Sequence, residues 1–188
     1  MLDKNIITKL QQISGKDHVL TDKADLICYS YDATQRQYLP DVVVHPGNVE
    51  EISQIMKLAN ETKTPVFPRG AGTGFTGGSV PTAGGIVLGL TRLDKILDID
   101  EENLVATIEP GVVTEDFQKT VEKVGLFYPP DPASLKVSTM GGNVAECAGG
   151  PRCVKYGVTK DYIIGLEIVT PTGDIIKTGG PTMKGVVG

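Results

Sequence analysis

Apolar positions in the first half of the chain fall into short unbroken runs and one helical stripe. Asp41-Val42-Val43-Val44-His45-Pro46 is a valine run closed by a proline, the pattern of a strand buried on both faces. Asn48 follows, with Glu51 three residues on, which reads as an N-cap and its capping-box partner. Ile52, Ile55, Met56 and Ala59 then recur at helical spacing and predict an amphipathic helix over 49–62. Pro65-Val66-Phe67-Pro68 reads as the next strand, and Gly85-Ile86-Val87-Leu88-Gly89-Leu90 as a third. The first two strands with their helix form a short βαβ unit, for which parallel strands and a right-handed crossover are expected.

After residue 95 the pattern changes. Ile96-Leu97-Asp98-Ile99-Asp100 and Leu104-Val105-Ala106-Thr107-Ile108-Glu109 flank polar Glu101-Glu102-Asn103, which predicts an antiparallel hairpin. Phe117, Val121 and Val124 mark a helix over roughly 114–124, ended by Gly125. A long apolar strand is expected from Tyr162 to Thr170, turned back at Pro171-Thr172-Gly173-Asp174 into Ile175-Ile176-Lys177. A helix over 3–13 and a loose lead-in fill the first 40 residues. The expected organisation is therefore α+β: a lead-in (1–40), a small parallel α/β lobe (41–95) and a mixed or antiparallel lobe (96–188). There is no internal repeat and no low-complexity segment.

Composition adds one anomaly. The 188 residues include 23 glycines and 12 prolines, where ordinary usage would give about 23 of both together. Eight of the twenty residues from Gly70 to Gly89 are glycine, and a second cluster holds Gly141, Gly142, Gly149, Gly150 and Gly157. The first loop reads Pro68-Arg69-Gly70-Ala71-Gly72-Thr73-Gly74-Phe75-Thr76-Gly77-Gly78-Ser79-Val80-Pro81. Gly72-x-Gly74-x-x-Gly77 matches the dinucleotide fingerprint, but that fingerprint must open a helix. Gly77, Gly78, Pro81, Gly84 and Gly85 leave no room for one. A Walker A loop is absent as well, since Gly15-Lys16 is followed by Asp17. What remains is either a flexible linker or a stretch of bare backbone able to turn successive N–H groups toward one anion. Strands on both sides and bracketing prolines favour the anion site, with Thr73, Thr76 and Ser79 adding hydroxyls and Arg69 adding charge.

The second cluster follows Pro130-Asp131-Pro132-Ala133-Ser134 and reads Ser138-Thr139-Met140-Gly141-Gly142-Asn143-Val144-Ala145. Ser138 or Thr139 looks like a cap for a helix starting near Gly141. Its N-terminus is expected to offer unpaired N–H groups to a phosphate or a ring carbonyl. Two glycine-lined sites on two lobes point to one long ligand, a dinucleotide rather than a mononucleotide.

Charge and rarer residues mainly exclude. The net charge is −5, from 18 basic and 23 acidic side chains, which argues against nucleic acid as the main partner. No apolar run approaches the ~20 residues of a membrane span, and the N-terminus lacks an apolar signal core, so a cytoplasmic protein is expected. Cys28, Cys147 and Cys153 form no C-x-x-C pair and suit reduced thiols. Asp98, Asp100, Glu101 and Glu102 read as solvated charge at a hairpin tip rather than a metal site. His45, at a strand end, reads as structural, and His18 as a surface residue.

Taken in order, several motifs resemble one family. They are Pro-Arg-Gly-Ala-Gly-Thr-Gly (68–74), Gly77-Gly78-Ser79-Val80-Pro81, Glu109-Pro110-Gly111-Val112, Pro130-Asp131-Pro132 and Thr139-Met140-Gly141-Gly142-Asn143-Val144-Ala145-Glu146. Ala148-Gly149-Gly150, Lys155-Tyr156-Gly157-Val158 and Leu166-Glu167-Ile168-Val169-Thr170-Pro171-Thr172-Gly173 continue the series. The chain over 30–180 resembles the FAD-binding domain of the vanillyl-alcohol oxidase/p-cresol methylhydroxylase superfamily. Within it, the likeness is to the branch of glycolate oxidase FAD subunits and D-lactate and D-2-hydroxyglutarate dehydrogenases.

The resemblance implies a p-cresol methylhydroxylase-type α+β fold with FAD extended between two lobes. On the first lobe it implies cofactor contacts from Pro68, Arg69, Gly70, Ala71, Gly72, Thr73, Gly74, Gly78 and Ser79, the loop holding the pyrophosphate. On the second it implies contacts from Pro110, Gly111, Pro132, Ser138, Thr139, Gly141, Gly142, Ala145, Gly149, Tyr156 and Gly157, lining the flavin and ribityl side. Asp131 is expected to position rather than catalyse, and Cys147 to pack near the cofactor. Covalent members often use a histidine in the first glycine loop; here there is none, so FAD is expected to be non-covalent.

The family is about twice this length, and its C-terminal domain supplies the substrate arginine and the catalytic histidine and carboxylates. The chain is accordingly expected to be a fragment with no catalytic residue and no metal of its own, cut within the cofactor fold at the end of the stretch Thr178-Gly179-Gly180-Pro181-Thr182-Met183-Lys184-Gly185-Val186-Val187-Gly188. The implied activity is oxidation of a 2-hydroxy acid by hydride transfer to flavin, with further oxidase subunits carrying electrons onward. Two alternatives stay open: a stand-alone nucleotide-binding module completed by a partner chain, and a peptidoglycan-precursor reductase using NADPH.

Overall fold

The computed structural model describes residues 2–180; the segment 181–188, with the expected cut in the cofactor fold, lies outside the described residues. The chain divides into two compact units, Met1–Leu93 with Val169–Ile175, and Asp94–Ile168 with Ile176–Gly188. In chain order the first unit is built from α1 (Lys4–Ser14), β1 (Val19–Leu20), α2 (Lys23–Cys28), β2 (Val42–Val44), α3 (Val49–Thr62), β3 (Val66–Arg69) and β4 (Ile86–Gly89).

The valine run is the reason for the layers. Val42 and Val44 face one way with Ile86 and Leu88, into a cluster with Leu10 of α1 and Ile55, Leu58 and Ala59 of α3. Val43 and Val87 face the other way, onto Leu26 of α2 with Leu20, Tyr29 and Phe67 around them. Strand side chains alternate between faces, so an unbroken apolar run requires helical cover on both, which α1 and α3 provide on one side and α2 on the other. Leu10, Val19 and Leu26 thus bring α1, β1 and α2 into the core, where a loose lead-in was expected after the first helix. α1 is capped by Asp3, whose side chain accepts from the Asn5 N–H.

The sheet order is β1-β2-β4-β3. β1 runs antiparallel to β2, whereas β2, β4 and β3 are mutually parallel. The two strands of the expected βαβ unit are parallel but not neighbours, because β4 lies between them. Val43 and Phe67 both stand in register with Val87. Parallel neighbours need a crossover of a dozen or more residues, and between β3 and β4 that crossover is the glycine loop itself.

α3 starts as its sequence predicts. Asn48 Oδ1 accepts from the Glu51 N–H at 2.8 Å. The return bond of the capping box is displaced by one residue, since Glu51 Oε2 accepts from the Gly47 N–H at 2.9 Å. Midway along the helix the buried Ser53 hydroxyl donates to the Gly173 carbonyl at 2.5 Å. This seats the turn Val169–Ile175 on α3; Gly173 has φ +84° and no room for a Cβ, which would meet Lys57 Cγ at 2.5 Å.

The second unit contains β5 (Ile96–Asp100) and β6 (Val105–Ile108), an antiparallel hairpin with a register irregularity between Ile96 and Asp98. α4 (Thr114–Lys123) follows, closed by Gly125 at φ +78°. Then come α5 (Met140–Glu146), the four-residue α6 (Cys153–Tyr156), β7 (Gly165–Val169) and β8 (Ile175–Gly179). Its core gathers Val112, Phe117, Val121, Tyr128 and Met140, with Tyr128 edge-on to both Phe117 and Tyr162. At the β5–β6 tip Asp100 accepts from both the backbone and the side-chain N–H of Asn103, which hold its carboxyl below the usual range.

The strand expected from Tyr162 is shorter, because residues 159–162 form a 3₁₀ turn. Asp161 Oδ2 accepts from the Val158 N–H at 2.8 Å, and Tyr162 Oη donates to the Tyr156 carbonyl. Those local bonds outcompete extension. As a test of the core, Ile55→Ala should cost about 2–5 kcal/mol in chemical denaturation, the range for emptying a filled apolar site.

Candidate functional site

From Gly70 to Gly85 the backbone forms no helix, so the Gly72-x-Gly74-x-x-Gly77 run is not a Rossmann turn. Among the described residues no acceptor meets the N–H groups of Ala71, Gly72, Thr73, Gly74 and Phe75. Consecutive free donors on partly exposed backbone are what an anion nest requires. Gly72 and Gly77 take φ of +70° and +79°, values a β-carbon disfavours. Gly74 has open space around it: a Cβ there would touch nothing within 4 Å. The loop is pinned at its far end by Val80 N–H to the Gly77 carbonyl at 3.1 Å. In its middle the Gly74 carbonyl accepts from the Ala33 N–H at 3.2 Å. Phe75, 80% exposed, stands at the tip.

Arg69, expected to present charge to an anion, is instead only 6% exposed. Its Nη1 reaches Ser79 Oγ at 3.5 Å and its Cζ lies 5.7 Å from the Tyr29 ring centre. Burial works against its charge, and Asp32 is the largest influence favouring it. Tyr29 in turn bonds His45, Oη to Nε2, at 3.1 Å. Burial holds the His45 imidazole below the ordinary histidine range, favouring the neutral ring. Tyr29, Asp32 and Ala33 escaped the sequence reading because they lie on no periodic element; the Asp32-x-Thr34 turn was the available signal.

On the second unit, Ser138 and Thr139 are buried with their polar groups bonded inside the protein. Thr139 caps α5, its side chain accepting from the Gly142 N–H at 3.4 Å. The expectation of free N–H groups at this helix start is corrected by the structure. Met140 N–H donates to the Val112 carbonyl at 2.8 Å and Gly141 N–H to the Pro110 carbonyl at 2.7 Å. The segment Pro110–Val112 lies across the helix end and takes the donors that would otherwise face a ligand. Beneath it, buried Thr114 Oγ1 bonds Ser138 Oγ at 2.9 Å and accepts from Asn143 Nδ2 at 2.7 Å. Gly111 and Pro132 are buried as well.

Close packing explains the remaining glycines of the cluster. A Cβ on Gly141 would meet Pro110 Cβ at 2.5 Å, and one on Gly150 the Asp131 carbonyl at 1.9 Å. One on Gly157, at φ +87°, would meet Asp161 Oδ2 at 2.5 Å, and one on Gly149 Val158 Cγ1 at 3.3 Å. Asp131 ties this segment to Arg152: its Oδ1 accepts from the Arg152 N–H at 2.9 Å and its Oδ2 faces Arg152 Nε at 3.5 Å. Ala145 is exposed. Tyr156 is 41% exposed, edge-on to Phe127 at 5.7 Å, with Lys155 Nζ 4.8 Å from its ring centre.

Residues 40–179 match the model of the FAD binding domain, and the chain belongs to that family. A glycolate oxidase subunit of Bacillus subtilis is 51% identical over 100% of this chain and 40% of its own length. A D-lactate dehydrogenase of Anaerostipes hadrus is 48% identical over 95% of this chain and 38% of its own. A D-2-hydroxyglutarate dehydrogenase of Stutzerimonas stutzeri is 33% identical, covering 100% and 41%. Among solved structures, an alkyldihydroxyacetonephosphate synthase superposes with a TM-score of 0.85 at 25% identity, over 95% of this chain and 34% of that one. A p-cresol methylhydroxylase with substrate bound gives 0.80 at 26% identity, over 93% and 35%. The chain thus spans about 40% of the curated relatives' length. The expected p-cresol methylhydroxylase-type fold is confirmed, as is FAD as the cofactor, and the open donors of Ala71–Phe75 suit its pyrophosphate.

The close contact at Gly141 yields a prediction. Gly141→Ala should destabilise the protein by about 1–3 kcal/mol, the cost of overpacking, measured by urea unfolding. A neutral result would mean that Pro110–Val112 is free to move off the helix.

Proposed function

We propose that this chain is the FAD-binding portion of an oxidoreductase that oxidises a 2-hydroxy acid of the glycolate or D-lactate type, with FAD held non-covalently. The run of unpaired N–H groups from Ala71 to Phe75 is the observation that carries this reading. The names of the relatives supply the substrate class. In the first unit, Gly70, Ala71, Gly72, Thr73 and Gly74 would hold the pyrophosphate through backbone N–H, with Gly78 and the Ser79 hydroxyl closing the loop and Pro68 and Arg69 supporting it. In the second unit, Ser138, Thr139, Gly141 and Gly142 shape the α5 start, while Ala145, Gly149, Tyr156 and Gly157 offer exposed or partly exposed surface to the flavin side. Pro110, Gly111 and Pro132 back that surface from within.

Bound FAD supplies a hydride acceptor. This chain's residues bind and orient the cofactor and exclude water from its anionic part. The groups that clamp a substrate carboxylate and take its hydroxyl proton are assigned to the part of the relatives beyond the match, together with any subunit that carries electrons onward. A cytoplasmic location is proposed; the three unpaired cysteines support it. Among the described residues no helix is long and apolar enough to cross a membrane.

The purified chain, titrated with FAD, should quench flavin fluorescence and retain visible flavin absorbance after gel filtration. A chain that stays colourless with FAD in excess would sink this reading. Gly74→Val provides a sharper check. A Cβ at that position meets no protein atom within 4 Å, so the melting temperature should hold while FAD affinity falls about tenfold or more, the cost of blocking a close backbone approach.

A further inference from the structure

The first unit contains an arrangement around Arg69 that the binding reading does not require and that changes what this residue does. Arg69 ends β3, and its side chain runs back beneath the glycine loop. It touches the loop at two further points, Ser79 Oγ at 3.5 Å from Nη1 and Gly72, where a Cβ would lie 2.2 Å from Nη2. One side chain therefore meets the loop just past its start, at Gly72, and again ten residues beyond Arg69, at Ser79. The guanidinium fits against Gly72 because that position carries no side chain.

A second segment closes on the same group. Tyr29 presents its ring to the guanidinium and is fixed through His45, whose Cε1 leaves no room for a Cβ on Gly89, the register partner of Arg69. Asp32 is 5% exposed and its Oδ1 accepts from Thr34 N–H at 2.8 Å and Thr34 Oγ1 at 2.6 Å. That turn aims the Ala33 N–H at the Gly74 carbonyl. The turn at Asp32 and the Arg69 side chain thus hold one loop from two directions.

We propose that Arg69 is a positioning residue rather than an anion ligand: with Tyr29 and the Asp32 turn it braces the glycine loop from inside, so that the Ala71–Phe75 N–H groups stand ready for a pyrophosphate. The assignment rests on the reading of that loop as the FAD site. It separates two roles an arginine plays differently from a lysine. An anion ligand acts through its charge, and lysine substitutes in part. A brace acts through a flat guanidinium stacked on a ring and bonded at its edge, and lysine does not substitute.

The test compares the unmodified chain with Arg69→Lys, Arg69→Met, Tyr29→Leu, the Tyr29→Leu/Arg69→Met pair and Ser79→Ala. Without FAD, chymotryptic cleavage after exposed Phe75 reports how well the loop is held; with FAD, fluorescence quenching reports affinity. Both Arg69 variants should be cleaved faster to the same degree and lose affinity about tenfold, the scale of a desolvated cation–π contact. Tyr29→Leu should act in the Arg69 background and add nothing to Arg69→Met. Arg69→Lys behaving like the unmodified chain, or cleavage unchanged in every variant, would overturn the brace. If the Arg69 variants do not fold, Ser79→Ala decides: faster cleavage supports the brace and an unchanged rate refutes it. Loop release in the variants with no FAD binding by the unmodified chain would leave the brace standing and remove the FAD reading.

Discussion

The structure depends on the parallel pairing of β3 with β4. Neighbouring parallel strands cannot be joined by a tight turn, so the chain must leave the end of β3 and travel back to the start of β4. In most proteins a helix makes that passage. Here it is made by bare backbone from Gly70 to Gly85, and everything proposed about ligand binding follows from that choice. A helix would have consumed its own N–H groups in internal bonds. Among the described residues this crossover leaves the N–H groups of Ala71–Phe75 without an acceptor, and it brings little side-chain bulk to keep a ligand away.

The two glycine clusters look alike in sequence yet do different physical work. In the first, Gly72 and Gly77 supply positive φ, Gly74 leaves open approach, and the donors of Ala71–Phe75 meet no acceptor among the described residues, while Gly72 also makes room for Arg69. In the second, glycine permits contact between protein segments: Pro110 against Gly141, Asp131 against Gly150 and Asp161 against Gly157. The donors there are already spent on the carbonyls of Pro110 and Val112. The second cluster therefore shapes a surface by tight packing, whereas the first presents hydrogen bonds.

What could be read from sequence follows from how local each determinant is. α3 was legible to the residue, since Asn48, Glu51 and the apolar stripe all act within a few positions of one another. The β5–β6 hairpin and the Gly125 stop were legible for the same reason. The order β2-β4-β3 was not, because the pattern of a buried strand does not say which neighbour it takes. Nor was the satisfied start of α5, whose acceptors lie some thirty residues upstream. The burial of Arg69 depends on Tyr29 and Gly72 coming together in space. A residue's proximity to a glycine loop marks it as relevant to the site without fixing the direction in which it points.

The turn Val169–Ile175 bears on how this protein can be divided. It belongs to the first unit through Ser53 and Gly173, although the chain has by then passed through most of the second. The first unit is therefore discontinuous in the gene. A coding segment ended after Leu93 would strip α3 of the turn packed on it and of the Ser53–Gly173 bond. Swapping cofactor halves among relatives thus needs two junctions to be matched, not one.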